Sequence, residues 1–175
     1  MEGIYEKVNG VNVSKLGYES FEDTVKDFDI ICLQETHICT SESIVIPKTF
    51  TSIPHCRNIS SNNRYFGGML LLIRKKVRKG IKIDQNIDVD TLKVTLKKEF
   101  FATERNIDIF FTYASPINSC YTTGRSENIL EKIDKKILDG RKDCIVMGDL
   151  NGRTRMEEDF VRDSSDVHSP INIPC

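Results

Sequence analysis

The chain has no excess of either charge: 25 Lys and Arg stand against 26 Asp and Glu, for a net charge of −1. That balance excludes coating of nucleic acid by charge alone. Any DNA contact has to come from a local patch that places Lys and Arg along the phosphate backbone. Long apolar runs are also missing. The longest, residues 69–73 (MLLLI), is far short of the ~20 residues that cross a bilayer, so no membrane partner is expected. Residues 1–15 hold no apolar segment of the kind that drives secretion. The six cysteines, Cys32, Cys39, Cys56, Cys120, Cys144 and Cys175, form no CxxC pair and follow no regular spacing. His37, Cys39, His55 and Cys56 carry zinc-binding side chains, but their spacing is not that of a zinc finger. Cys32 and Cys144 lie in apolar runs, where a thiol behaves as a small hydrophobe. These absences describe a reduced, soluble, intracellular protein. Internal repeats and low-complexity tracts are absent as well.

What is present suits one domain. A chain of 175 residues buries roughly 70% of the surface its unfolded form exposes. The hydrophobic fraction of 39% and charged fraction of 29% do not indicate disorder. Helix and strand patterns alternate. Ser20 can cap a short helix, with Asp23 at the capping-box position and Phe21, Val25 and Phe28 on one face. Residues 29–33 (DIICL) form a buried strand. A brief strand is expected at 44–46 and a second buried strand at 69–73, after Gly67 and Gly68. Residues 92–101 and 107–113 read as two strands joined by a hairpin turn at 103–106. Residues 126–138 make the clearest helix, with Ile129, Leu130, Ile133, Ile137 and Leu138 in one stripe, Ser126 at its start and Gly140 at its end. Residues 144–147 (CIVM) form the last strand. Beyond Asn151 the chain is polar and patternless.

Polar groups capable of chemistry emerge where apolar strands end, and strand ends are where side chains leave the core and can converge on a cleft. Glu35 follows DIICL, Tyr113 closes residues 107–113, and Asp149 and Asn151 follow CIVM. Alternation puts Asp149 and Asn151 on one side and Leu150 on the other. A carboxylate beside a carboxamide suits a phosphodiester: Asp149 can accept a proton or orient water, and Asn151 can hold a phosphate oxygen or that water. Glu35 supplies a hard anionic oxygen, and magnesium commonly takes one or two carboxylates while keeping several waters. The Tyr113 phenol can donate a hydrogen bond to the same centre. Each residue also has an ordinary reading. Gly-Asp after a strand is most often a turn, a lone Glu at a strand end is usually solvated, and a Tyr there is usually half-buried packing.

Order and context favour chemistry. Residues 29–37 (DIICLQETH) resemble the strand that ends in the metal-binding Glu of the endonuclease/exonuclease/phosphatase, or DNase I-like, family. Residues 67–74 (GGMLLLIR) resemble that family's Gly-Gly strand, 112–116 (TYASP) its active-site Tyr segment, and 146–151 (VMGDLN) its Gly-Asp-x-Asn motif. All four occur in family order. The wording DIICLQETH, GGMLLLIRK and GDLNGRT is most similar to endonuclease domains of LINE-type (non-LTR) retrotransposons, which nick target DNA to prime reverse transcription.

The resemblance implies an α/β fold: a four-layer sandwich of two mostly antiparallel sheets flanked by helices, here C-terminally incomplete. It spans residues 1–155, with 156–175 as an irregular tail. It also implies roles. Glu35 binds Mg2+ or Mn2+, Tyr113 stabilises the phosphate in the transition state, and Asp149 activates water or assists the leaving group. Asn151 positions the phosphate or Asp149. The implied activity is metal-dependent phosphodiester hydrolysis by a DNA endonuclease, with a reverse transcriptase domain as partner in the full-length element and the nucleus as location. A phosphatase or RNase branch, or a non-catalytic remnant, is the alternative. Two departures favour the remnant. Family members usually open with a strand ending in Asn-x-x-Gly, whereas here Lys7 stands where that Asn is expected, with Asn9 and Asn12 nearby. A Ser-Asp-His segment is the second family feature without a counterpart. Residues 165–170 (SDVHSP) resemble it with one residue inserted but follow Asn151 too closely, so His168 reads as a tail residue. Loss of an acid/base partner typically costs ~10²–10⁴-fold in rate, so the isolated chain is expected to be weakly active or inactive. The basic run at 74–79 (RKKVRK) reads either as a DNA contact or as a solvated hairpin end, with the second slightly favoured.

Overall fold

Two segments of the chain are apolar at nearly every position, and both become strands covered on both faces. The computed structural model describes residues 16, 19–38, 44–56, 67–115, 129–140 and 144–150. In the first sheet, β1 (Ile30–Gln34) and β2 (Phe50–His55) pair antiparallel with opposite sides of β3 (Met69–Arg74). A strand carries apolar side chains on both faces when neither face meets water. One row, Ile30, Cys32, Met69, Leu71 and Ile73, packs against the second sheet. The opposite row, Ile31, Leu33, Leu70 and Leu72, packs beneath α1 (Glu19–Val25) with Leu16, Phe21 and Val25.

The second sheet runs β4 (Ile81–Asp88), β5 (Thr91–Leu96), β6 (Ile107–Tyr113) and β7 (Cys144–Asp149) in spatial order. The β4–β5 and β5–β6 pairs are antiparallel and β6–β7 is parallel. A parallel pair needs a long crossover, and the connection between β6 and β7 contains α3 (Ile129–Gly140). Ile81, Leu92, Val94, Leu96, Ile109 and Phe111 face the first sheet. On the other face, Phe110 and Ala114 pack with Ile129 and Ile133 of α3. The layers are therefore α1, first sheet, second sheet and α3, the four-layer α/β sandwich that the resemblance implied. Burying each such side chain stabilises by about 1.5–3 kcal/mol, so the contact between the sheets carries the largest share of the core.

Arg74, the last residue of β3, shows what the basic run does. Its guanidinium Nε and one terminal nitrogen donate to the Phe28 carbonyl at 3.2 and 3.0 Å. That same terminal nitrogen reaches the Val25 carbonyl at 3.3 Å and also bonds the Lys26 carbonyl. The Arg74 Nε also meets Asp29 Oδ1 at 3.2 Å, and the centre of the guanidinium lies over the Phe50 ring. Carbonyls at a helix C-terminus lack intrahelical partners, and a cation there supplies them. Lys76 pairs with Asp29, and Arg78 donates to the Ile81 carbonyl. Three of the five cations in the run therefore have structural partners, a role that neither the DNA-contact nor the solvated-end reading gave them.

Several boundaries differ from the sequence expectation, each for a physical reason. The helix already includes Glu19, so Ser20 lies within its first turn and is not its cap. Residues 44–46 are not a strand; the strand is β2, disguised by Ser52 and Pro54. Proline is tolerated there because β2 lies at the edge of its sheet among the described residues. β4 was not expected, since only Ile81 of its positions is buried and polar side chains break its alternation. Residues 98–101 turn into a one-turn helix, α2 (Lys98–Phe101), instead of extending β5. Ala102 ends it in the left-handed region at φ 54°, so the expected hairpin turn at 103–106 is only the second half of a longer connection. Gly140 is the last helical residue of α3, not a residue beyond it. β7 runs on through Asp149, forming one edge of its sheet among the described residues, with Ile145 and Val146 exposed. Cys32 is buried between the sheets, and burial pushes its thiol pKa up. Cys144 packs partly buried near α3. The expected tail at 156–175, and Lys7, Asn9, Asn12 and His168, lie outside the described residues. Among the described residues no helix is long and apolar enough to cross a membrane.

Arg74→Ala removes the cap of α1 and its bonds to part-buried carbonyls, and is expected to destabilise the chain by ~1–3 kcal/mol. Lys75→Ala, at an exposed neighbour, is expected to stay within ~0.5 kcal/mol. Urea unfolding of both variants checks the pair.

Candidate active site

The ends of β1, β6 and β7 meet at one edge of the sandwich. Alternation along β1 sends Ile30, Cys32 and then Gln34 toward the second sheet, so a straight continuation would aim Glu35 the other way, beneath α1. The backbone leaves extended geometry at Glu35, where φ is 53°. Its carboxylate then accepts a hydrogen bond from the Tyr113 hydroxyl at 2.5 Å. A non-glycine residue in the left-handed region costs on the order of 1–3 kcal/mol and persists only where its surroundings enforce it.

The enforcement comes from the glycine pair. Thr36 N–H donates to the Gly68 carbonyl at 3.3 Å and His37 N–H to the Gly67 carbonyl at 2.9 Å. In return, Gly67 N–H donates to His37 Nδ1 at 3.2 Å. Gly67 and Gly68 have φ of 66° and 81°, a conformation that glycine adopts without the Cβ penalty. The Gly-Gly element thus holds the turn that presents Glu35.

Tyr113 and Asp149 are register partners at the ends of parallel strands β6 and β7. Ala114 N–H donates to the Asp149 carbonyl at 2.8 Å, and Tyr113 N–H to the Asp90 carbonyl at 2.9 Å. Beneath them lies a residue the sequence reading passed over. Gln34 is buried, and its Nε2 donates to the Thr112 carbonyl at 2.9 Å. Its Oε1 accepts from the Asp149 N–H, also at 2.9 Å. One carboxamide therefore ties β1 to both β6 and β7. Gly148 makes room for it: a Cβ there would lie 1.9 Å from the Thr112 carbonyl oxygen and 2.6 Å from Gln34 Nε2, and its φ is 139°. The signal for Gln34 was in the alternation itself, which carries the inner row of β1 onto a polar residue. A buried carboxamide must find partners.

Of the four expected site residues, Glu35 and Tyr113 are joined by a side-chain hydrogen bond, and Asp149 stands beside Tyr113 in strand register. Asn151 lies outside the described residues. The zinc-type set does not assemble: His55 Nε2 bonds the Asp88 carbonyl at 2.8 Å, Cys56 donates to the Ile38 carbonyl at 2.9 Å, and His37 is engaged with Gly67. Cys39 lies outside the described residues. No group of three or more His, Cys, Asp or Glu able to hold a metal occurs among the described residues. The donors at the site are carboxylate oxygens, hard and few. That chemistry fits a hard cation that keeps most of its water, with Glu35 as protein ligand, and not zinc in a closed shell.

The family described as Endonuclease/Exonuclease/phosphatase matches residues 8–163 of the chain. No curated protein matches. Similar solved structures include the human Nocturnin catalytic domain with bound sulfate anion, at 15% identity and TM-score 0.48, covering 76% of this chain and 54% of that one. An AP endonuclease from Archaeoglobus fulgidus is 15% identical with TM-score 0.49, covering 84% and 56%. TDP2 from C. elegans is 14% identical with TM-score 0.39, covering 83% and 48%. The chain spans about half the length of these structures.

Gly148→Ala drives a Cβ into the Thr112 carbonyl at a backbone angle unfavourable to L-residues. It is expected to destabilise by more than ~1 kcal/mol, measured by urea unfolding.

Proposed function

The chain belongs to the endonuclease/exonuclease/phosphatase family, and from that premise we propose that it hydrolyses phosphodiester bonds in DNA with the help of a divalent metal ion. The observation that carries the reading is the Tyr113–Glu35 hydrogen bond of 2.5 Å, formed where Asp149 ends the strand paired with Tyr113. Packing alone gives no reason for a carboxylate to be turned from its strand direction into a phenol at the meeting of three strand ends. Preparing that carboxylate as a ligand does.

The roles follow from the chemistry of each group. Glu35 holds Mg2+ or Mn2+, which when bound neutralises phosphate charge and polarises the phosphorus for attack. The Tyr113 hydroxyl has a single proton, so it serves Glu35 in the free protein and can serve the phosphate once substrate enters. Asp149 takes the proton of the attacking water or assists the leaving oxygen as the P–O bond breaks. Asn151 follows two residues later and is assigned the positioning of phosphate or Asp149. The choice of DNA rests on the wording of residues 29–37, 67–75 and 148–154, which resembles LINE-type endonuclease domains. On that reading the chain is of retrotransposon origin, works in the nucleus and accompanies a reverse transcriptase domain.

Supercoiled plasmid incubated with the chain and magnesium tests the proposal. Slow conversion to the nicked form is expected, abolished by chelation and reduced at least ~100-fold by Glu35→Ala or Asp149→Ala. Absence of nicking by a chain that circular dichroism shows to be folded would make it a non-catalytic member of its family.

A further inference from the structure

We propose that Gln34 is a positioning residue of the site, one that sets where Asp149 stands relative to Tyr113 and Glu35. The proposal rests on the catalytic reading above for its consequence, but its geometry stands separately. In a parallel ladder with Tyr113 opposite Asp149, the Thr112 carbonyl and the Asp149 N–H are the facing groups of the two strands. The Gln34 carboxamide bonds both, donating to one and accepting from the other, each at 2.9 Å. It does so from the first sheet, one residue before Glu35.

Gln34 is only 6% exposed, so water does not offer those two groups an easy replacement. Gly148 is the matching half of the device. Any larger residue would place its Cβ 2.6 Å from Gln34 Nε2. The result is a three-strand joint in which neighbouring residues divide the work. Gln34 grips the main chain of β6 and β7, and Glu35, turned by its positive φ, meets Tyr113. Moving Gln34 therefore moves Asp149 against Glu35 without touching either side chain. Misplacement of a reacting group by ~1 Å can cost about 100-fold in rate.

The test replaces Gln34 in the full chain with Leu, which keeps the volume and loses both bonds, and with Glu, which keeps an acceptor for Asp149 N–H and loses the donor to Thr112. Gln85→Leu serves as control, because Gln85 also joins the two sheets by a carboxamide, donating to the Pro54 carbonyl at 2.9 Å on the β2–β4 flank. Amide hydrogen exchange is read residue by residue. Gln34→Leu is expected to speed exchange at Asp149 at least ~10-fold while Leu71 and Val94 keep their protection, with Gln34→Glu intermediate and Gln85→Leu without effect at Asp149. On plasmid DNA, Gln34→Leu is expected to lower kcat about 100-fold with KM within about threefold. Unchanged exchange at Asp149 overturns the proposal. Equal acceleration across the core also overturns it, since that is the mark of a packing residue. If Gln34→Leu does not fold, the Glu variant decides by the same criterion. If the wild-type chain does not nick DNA, the catalytic reading fails alone and the exchange result still decides whether Gln34 holds Asp149.

Discussion

Burial of β3 on both faces is the constraint on which the other placements depend, because this strand is the middle of its sheet and touches both apolar clusters beneath and above it. Leu71 and Ile73 reach the second sheet, while Leu70 and Leu72 reach the layer under α1. A strand with no polar side to offer water is stable only between two covers. Those covers set the distance between the sheets, and with it how far a side chain at the end of β1 can extend. Gln34 is long enough to cross from β1 to the backbone of β6 and β7, and Gly148 leaves the space it needs.

The site is consequently a product of strand ends and not of any one loop. Strand ends inherit the rigidity of the sheets behind them, which is the condition for holding reacting groups within a fraction of an ångström. The cost appears locally. Glu35 and His37 adopt left-handed backbone angles, held by the carbonyls of Gly67 and Gly68 at the start of β3. Strain of this kind is stored where surrounding structure over-determines the conformation, and such places are often functional. Here the strained residue is the carboxylate that faces Tyr113.

Much of this was legible in the residues. The runs at 29–33 and 69–73 marked the doubly covered strands, residues 107–113 were read with the observed bounds, and Glu35, Tyr113 and Asp149 were singled out by their position after apolar runs. What escaped were the elements whose pattern is set by the edge of a sheet. β2 contains Pro54 and β4 contains Asp84 and Asn86, and edge or half-exposed strands tolerate such residues because fewer of their groups must pair or pack. The extension of β5 failed at Lys97, where the chain turns into α2 so that Phe100 lies across Gly80, a contact between residues far apart in sequence.

By itself the sequence determined which segments are buried and which polar residues stand at their ends, because burial leaves a period-two or unbroken apolar record that any reader of the chain can follow. It could not determine how those ends face each other. Alternation alone would have turned Glu35 beneath α1, and only the tertiary hydrogen bonds of the Gly67–Gly68 turn reverse it. Gln34 likewise reads as one polar residue among several until the second sheet places the Thr112 carbonyl and the Asp149 N–H within its reach. Convergence of groups 78 and 115 residues apart is a property of sheet packing, and no local pattern encodes it.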